Sequence, residues 1–340
     1  MSRPGSGSAS PDRGPIQPRL AGRHVWVDGE LLPADGRHLS AFDRGFQLGD
    51  GVFETLRARG GRPTELDEHL ARLRRSAKGL DIELGPETEA SVAAGIATLL
   101  GAERLAGPTG DASIRITVSR GSVTSRGLLP LERVDPTVVI QAWPVPPTPE
   151  DHLRRGLHLV ASSVRRDPSN PLSSLKTTSR ADYVFARLEA RRAGADDAVF
   201  LTTDGHLSEG TSANLFIVRM VRGRPELATP ALECAILPGT TRTWLLGWGE
   251  RSGLAPLEGW LTPADLAAAD EAFVCSSVAG VLPVTRYEGR GIGTGAPGPW
   301  TLRARAAREA FIRGEPEPGP APEAGGDSPR AAAPRPGTKG

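Results

Sequence analysis

Four prolines within the seven residues Trp143-Pro144-Val145-Pro146-Pro147-Thr148-Pro149 constrain this chain more than any other feature. Each lacks a backbone N–H and holds φ near −65°, so neither a helix nor a strand ladder is expected to pass through them. The run reads as a linker over 144–150, dividing the chain into one region over 21–143 and another over 151–314. With 340 residues in all, each region is long enough for its own hydrophobic core. Residues 1–20 and 315–340 are rich in Pro, Gly, Ala and Ser without periodic apolar positions, and read as disordered, dispensable ends.

The first region opens on an expected hairpin, His24 to Val27 and Leu31-Leu32 around an Asp28-Gly29 turn. Val52 to Ala58 alternates as a strand and stops at Gly60-Gly61. Leu66, Leu70, Leu73, Ala77 and Leu80 recur at helical spacing, and a second helix is expected over 87–100. Strands are predicted over 112–119, with Ile114, Ile116 and Val118 on one face, and over 137–142.

The second region is expected to begin with a strand from Leu157 to Ser163. Lys176 then stands at a strand-to-helix junction, before a helix over Ser179 to Arg192 that Ser179 and Asp182 would cap. A hairpin turning at Asp204-Gly205 leads one continuous strand through Glu209 to Asn214 and Val218. Pro238-Gly239-Thr240-Thr241 opens a helix, and a strand over Ala272 to Ser276 and a helix over Thr301 to Ile312 follow. Strands and helices in mixed order, with several hairpins, predict a two-domain α+β architecture rather than a doubly wound parallel sheet.

Composition removes several function classes. The net charge of +1 offers no electrostatic case for nucleic acid or a membrane surface. No apolar run is long enough to span a bilayer, and Met1 to Pro15 lack the apolar core of a secretory signal. Cys234 and Cys275 are expected to be buried free thiols in a reducing cytoplasm. The histidines at 24, 38, 69, 152, 158 and 206 never reach the spacing of a zinc hydrolase, so no metal is expected. Gly289-Arg290-Gly291-Ile292-Gly293 opens no helix and reads as a loop, not a dinucleotide cradle.

The 41 basic residues include only three lysines, Lys78, Lys176 and Lys339. Arginine replaces lysine wherever a surface cation suffices, but guanidinium cannot shed a proton and attack a carbonyl. Lys339 lies in the tail and Lys78 late in a helix, which leaves Lys176 in a catalytic context. Glu209 ends a strand in Ser208-Glu209-Gly210-Thr211. Gly239-Thr240-Thr241-Arg242 opens a helix, where free N–H groups and the dipole suit a phosphate. His69, Arg72 and Ser76 form a polar stripe beside an apolar helix face. An amine, a carboxylate and a phosphate cradle are what a pyridoxal 5′-phosphate (PLP) site needs.

The order of these segments resembles the class IV aminotransferases, or fold type IV PLP enzymes. That family includes branched-chain and D-amino acid aminotransferases and 4-amino-4-deoxychorismate lyase. The resemblance runs from Val25 to Val284. Its segments are Phe42-Asp43-Arg44-Gly45-Phe46-Gln47-Leu48-Gly49-Asp50-Gly51-Val52-Phe53-Glu54-Thr55, His69-Leu70-Ala71-Arg72-Leu73 and Leu175-Lys176. Glu209-Gly210-Thr211-Ser212-Ala213-Asn214-Leu215-Phe216, Leu237-Pro238-Gly239-Thr240-Thr241-Arg242 and Ser276-Ser277 complete the set.

The resemblance implies a D-amino acid aminotransferase-like fold with PLP at the domain interface, and a homodimer whose neighbouring subunit helps close the site. It implies that Lys176 carries the cofactor as an internal aldimine and shuttles the substrate proton, while Glu209 holds the pyridine nitrogen protonated. Arg72, Thr240, Thr241 and Ser277 would bind the phosphate, and Leu237 would pack on the ring. Phe53 would lie beside the substrate. Arg120 and Arg126, on the 119–127 loop, are candidates for the substrate carboxylate, although Arg126-Gly127-Leu128 lacks the histidine of D-amino acid aminotransferases. The implied reaction is amino transfer between an amino acid or amine and a 2-oxo acid. The runner-up is the lyase, releasing pyruvate and 4-aminobenzoate. A non-catalytic PLP-binding protein would be expected to lose Lys176 or Glu209, and both are present.

Overall fold

In the computed structural model, residues 20–125, 127–130 and 133–318 are described. Of the ends read as disordered, 1–20 and 315–340, all but residues 20 and 315–318 lie outside them. The first region contains β1 (His24–Val27), β2 (Glu30–Pro33), α1 (Arg44–Leu48), β3 (Gly51–Arg59), β4 (Arg62–Pro63), α2 (Leu66–Gly79), α3 (Thr88–Ala102), β5 (Asp111–Ser119) and β6 (Thr137–Pro144). Its strands form a six-stranded antiparallel sheet in the order β2-β1-β6-β5-β3-β4.

Strand alternation decides what each face of this sheet does. Val52, Leu56, Ile114 and Ile116 point to one side and pack under Leu70 and Leu73 of α2 and Ile96 and Leu99 of α3. Glu54 lies in register with Ile116 and Thr55 with Arg115. The opposite side carries Phe53, Thr55, Ser113 and Arg115, which all line one cavity. Helix α3 approaches the sheet closely because Gly95 has no side chain; a Cβ there would stand 2.6 Å from the Trp26 ring.

The second region contains α4 (Glu150–Arg155), β7 (Leu157–Arg166), α5 (Ala181–Arg192), β8 (Asp197–Thr202), β9 (Leu207–Gly210), β10 (Asn214–Val221) and β11 (Arg224–Pro230). Then come α6 (Thr240–Arg251), β12 (Ala255–Gly259), α7 (Pro263–Ala267), β13 (Glu271–Ser276), β14 (Gly280–Tyr287), β15 (Arg290–Gly291) and α8 (Pro299–Arg313). The path of its sheet is β12-β11-β10-β13-β14-β7-β8-β9, with β15 paired to β14. Pairs β11/β12, β14/β7 and β7/β8 are parallel, and the rest are antiparallel. Helices α6 and α8 bury Leu245, Trp248 and Ala304 with Phe216 and Phe273, while α5 buries Ala186 beside Val160 and Phe200. No helix among the described residues is long and apolar enough to cross a membrane.

Four local expectations need correction. Pro144 does not belong to the linker; it finishes β6, because a proline at a strand's last position costs no central ladder bond. The 310 turn Pro171–Ser174 and an extended Leu175 precede Lys176, so it does not sit directly after a strand. Ser179 does not cap α5, which begins at Ala181 after Arg180; its hydroxyl donates instead to the Gly49 carbonyl. The strand drawn from Glu209 to Val218 breaks at Thr211 to Ala213, where the chain bends between β9 and β10.

Candidate active site

A cavity of about 640 Å³ lies between the two sheets. Lys176 reaches it from an extended segment laid against the start of β3. Phe53 N donates to Lys176 O at 2.9 Å, and Val52 bridges Thr177. Lys176 N donates to Ser76 Oγ at 3.1 Å, so the stripe on α2 orients the lysine backbone. The Nζ stands 4.7 Å from the centroid of the Phe53 ring. Burial pushes the ammonium down to about 8, reinforced by the Arg72 and Arg180 charges and opposed by Glu54 and Glu209.

Glu209, at the end of β9, also lines the cavity. Leu237 N donates to its Oε2 at 3.0 Å, and Tyr183 Oη lies 3.4 Å from its Oε1. Arg166 stands 3.6 Å from the same oxygen and donates to Tyr183 Oη, while burial beside Glu209 pushes the phenol up to about 12.

At the far end, Thr240 and Thr241 occupy the first turn of α6, whose cap residue Gly239 supplies no side-chain acceptor. The first helical bond runs from Thr243 N to Gly239 O, leaving the earlier N–H groups of the turn facing the site. A Cβ at Gly239 would lie 2.1 Å from Asn214 Oδ1, so only glycine permits this approach. Thr240 Oγ1 is 3.3 Å from Ser277 Oγ and 3.4 Å from His69 Nε2. Arg72 lines the same end, with Nε and Nη2 each 2.7 Å from a Glu54 oxygen and Nη1 donating to Pro238 O. Five N–H donors minus these bonds leave spare hydrogens for an anion.

The structure therefore gathers Lys176, Glu209, Arg72, Thr240, Thr241, Leu237, Ser277 and Phe53 around one cavity. Arg120 requires correction. Its guanidinium is buried away from this cavity, bound to Asp50 and to the carbonyls of Leu80 and Asp81 where α2 ends. The Asp50 carboxylate, held low by Arg120 and Arg44 despite burial, is the stronger competitor for that charge. Arg126 lies outside the described residues. Sequence reading missed Arg115, Arg180 and Tyr183. Arg115 stacks 3.9 Å from the Phe53 centroid, and Arg180 lies over Tyr183 and donates to Thr211 O. Tyr183 being one of only two tyrosines was the available signal for it.

The family model for amino-transferase class IV matches residues 51–287, more than half of the chain. The chain belongs to the class IV aminotransferase family. It is 31% identical over 291 residues to the D-alanine aminotransferase of Bacillus licheniformis, covering 86% of this chain and 98% of that protein. It is 30% identical over 264 residues to the aminodeoxychorismate lyase of Bacillus subtilis, covering 78% and 86%. Among solved structures, the branched-chain amino acid aminotransferase of Escherichia coli superposes with a TM-score of 0.79 at 26% identity, covering 86% and 96%. A further branched-chain amino acid aminotransferase, matching with the same TM-score of 0.79, was solved with pyridoxamine 5′-phosphate. This class IV aminotransferase thus has the two-domain α+β fold type IV architecture, and its cofactor is PLP. The site fits that group: it offers an amine, a carboxylate 3.0 Å from an anchoring N–H, and uncapped helix donors on one cavity.

Two properties of the apoprotein follow. Glu54 is fully buried; burial raises its pKa, but bonds from Arg72 and His69 prevail and hold it at about 2. Its folded value is below the ordinary 4.5, so the stabilisation is complete above 4.5 and is lost as pH falls through 2. Glu54→Gln, which leaves Arg72 without a counter-charge, should cost about 3 kcal/mol in denaturant titrations. The gap to wild type should be constant above pH 4.5 and shrink below it; a gap independent of pH would show that the ion pair is not its source.

The second property concerns the amine. An amine-directed reagent should modify Lys176 with a midpoint near pH 8, against 10.5 for an unperturbed lysine. The neutral amine is the reactive form, so labelling rises with pH through that midpoint. A midpoint near 10.5 would mean that the side chain leaves the cavity for water.

Proposed function

We propose that this chain is a PLP-dependent transaminase, moving an amino group reversibly between an amino acid or amine and a 2-oxo acid. The observation that carries the reading is the placement of the Lys176 amine in one cavity with Glu209 and the open first turn of α6. PLP, when bound, supplies a conjugated electron sink for charge developing at the substrate α-carbon. Thr240, Thr241, Ser277 and the spare N–H groups of Arg72 hold its phosphate. Glu209 would pair with the ring nitrogen, and Leu237 would pack on the ring. Lys176 Nζ would hold the cofactor at rest and, when free, would take the proton from the substrate α-carbon. Phe53 excludes water beside it. Arg115 and Arg180, which have no carboxylate partner among the described residues, orient the substrate carboxylate.

The same reading includes a homodimer. Phe42, Phe46 and Leu48 are exposed around α1, and Arg44 ties α1 to the carbonyls of Gly127 and Leu128 beside exposed Leu128 and Leu129. An exposed apolar patch of this kind is what a second subunit covers.

The lyase remains the second reading, supported by the 30% identity to an aminodeoxychorismate lyase. A non-catalytic PLP protein has less support, because it would be expected to lose Lys176 or Glu209, and both line the cavity. The spectrum of the purified protein separates the first two. An amino donor without oxo acid should bleach the visible cofactor band and raise that of pyridoxamine phosphate, and a 2-oxo acid should reverse the change. A band unmoved by a broad donor panel, with pyruvate released from aminodeoxychorismate, would establish the lyase instead.

A further inference from the structure

Behind the phosphate end of the cavity lies Arg308, on α8, with no solvent exposure at all. We propose that Arg308 is a positioning residue for the cofactor phosphate, acting through Thr241. Its Nη2 donates to Thr241 Oγ1 at 3.1 Å, and its two Nη groups grip both oxygens of Glu65. Glu65 precedes the first residue of α2, and Thr241 is the second residue of α6. One guanidinium therefore links the starts of the two helices that supply Arg72, Thr240 and Thr241.

A guanidinium can only donate, so the Thr241 oxygen must accept from Arg308 and its own proton must point elsewhere. No acceptor for that proton exists among the described residues, while Thr241 is buried and lines the cavity. Arg308 thereby commits Thr241 to donate toward an anion in the cavity. The positive charge itself is neutralised by Glu65, so the contribution is one of direction rather than field.

Packing alone does not account for this residue. Arg308 Nε is buried without a hydrogen-bond partner, and the rings of Trp244 and Phe311 lie 5.1 Å from its guanidinium carbon. Glu65, its counter-ion, is held at φ 54°, a left-handed conformation unfavourable for a residue with a side chain. An apolar residue of similar size would fill the space without desolvating a charge pair.

The test compares PLP with pyridoxal, the same ring without its phosphate, by titration into apoprotein. Arg308→Lys retains one charge for Glu65, but its Nζ ends one bond short of the Nη2 position that reaches Thr241. Glu65→Gln with Arg308→Met removes both buried charges together. Each should weaken PLP about tenfold, the effect of one lost directed hydrogen bond to a charged group, and leave pyridoxal unchanged. Inorganic phosphate should compete with PLP correspondingly less well. Thr241→Val should cost less in the double variant than in the wild type, since Arg308 acts only through that hydroxyl. Should the double variant fail to fold, Arg308→Lys alone carries the comparison. Equal weakening of PLP and pyridoxal, or a full further loss from Thr241→Val, would overturn the proposal. A wild type with no preference for PLP over pyridoxal would instead remove the phosphate cup itself, and Arg308's role with it.

Discussion

Replacing Lys176 with Ala or Arg should abolish turnover, by at least about 10⁴-fold, while the protein stays folded. Among the described residues no other lysine is placed to take over. Lys78 is exposed on α2, and Lys339 belongs to the C-terminal end. Arginine keeps the charge but is no nucleophile near neutral pH, so its failure would separate amine chemistry from electrostatics. The fold should survive because the contacts that seat residue 176 are made by its backbone, to Ser76 Oγ and Phe53 N. Two readouts are independent of rate. Borohydride reduction of the wild-type holoenzyme should fix the cofactor to the peptide that contains Lys176. The visible absorbance of bound cofactor should be lost in both variants. Label on Lys78, or an active Lys176→Arg enzyme, would move the site elsewhere.

Much of the fold was legible because its signals are local. Ile114, Ile116 and Val118 alternate within one strand, and Leu66 to Leu80 repeat within one helix, so both elements show in a short window. The proline run places the crossing between the two sheets, although β6 takes its first proline. Segments governed by distant partners mislead. Ser179 resembles a cap in sequence, but Gly49, 130 residues away, takes its hydroxyl. Arg120 lies on a loop suited to a substrate carboxylate, but folding brings Asp50 and the end of α2 to it first.

The site divides in the same way. Lys176, Glu209 and the Gly239-Thr240-Thr241 turn stand out by their order along the chain, which resembles one family, rather than by residue type alone. Their supports do not. Arg72 meets Glu54 across 18 residues, and Arg308 meets Glu65 across 243. No local pattern marks Glu54 as a counter-ion, because strand alternation places it among Val52 and Leu56 on an otherwise apolar face. The same alternation turns Arg115 toward the cavity, which becomes visible only once β3 and β5 are paired.

Glu209→Gln should lower turnover by about 10³-fold with cofactor still bound. The substitution is nearly isosteric, and the amide oxygen can still accept from Leu237 N in place of Oε2. What it removes is the negative charge facing the cavity. Arg166 does not lose its footing, since it also donates to Ala235 O and Tyr183 Oη and keeps the Asp182 carboxylate at 3.7 Å, so no uncompensated cation is left behind. A large rate effect therefore reports on the ring nitrogen rather than on a collapsed support. A carboxylate there keeps the nitrogen protonated and lets the ring accept electrons, whereas a neutral amide does so far less well. The decisive comparison is kcat against cofactor affinity: kcat should fall by orders of magnitude while the PLP dissociation constant changes by less than about tenfold. Glu209→Asp, one methylene shorter but charged, should recover part of the rate. Near-normal turnover in Glu209→Gln would mean that the ring nitrogen faces some other group.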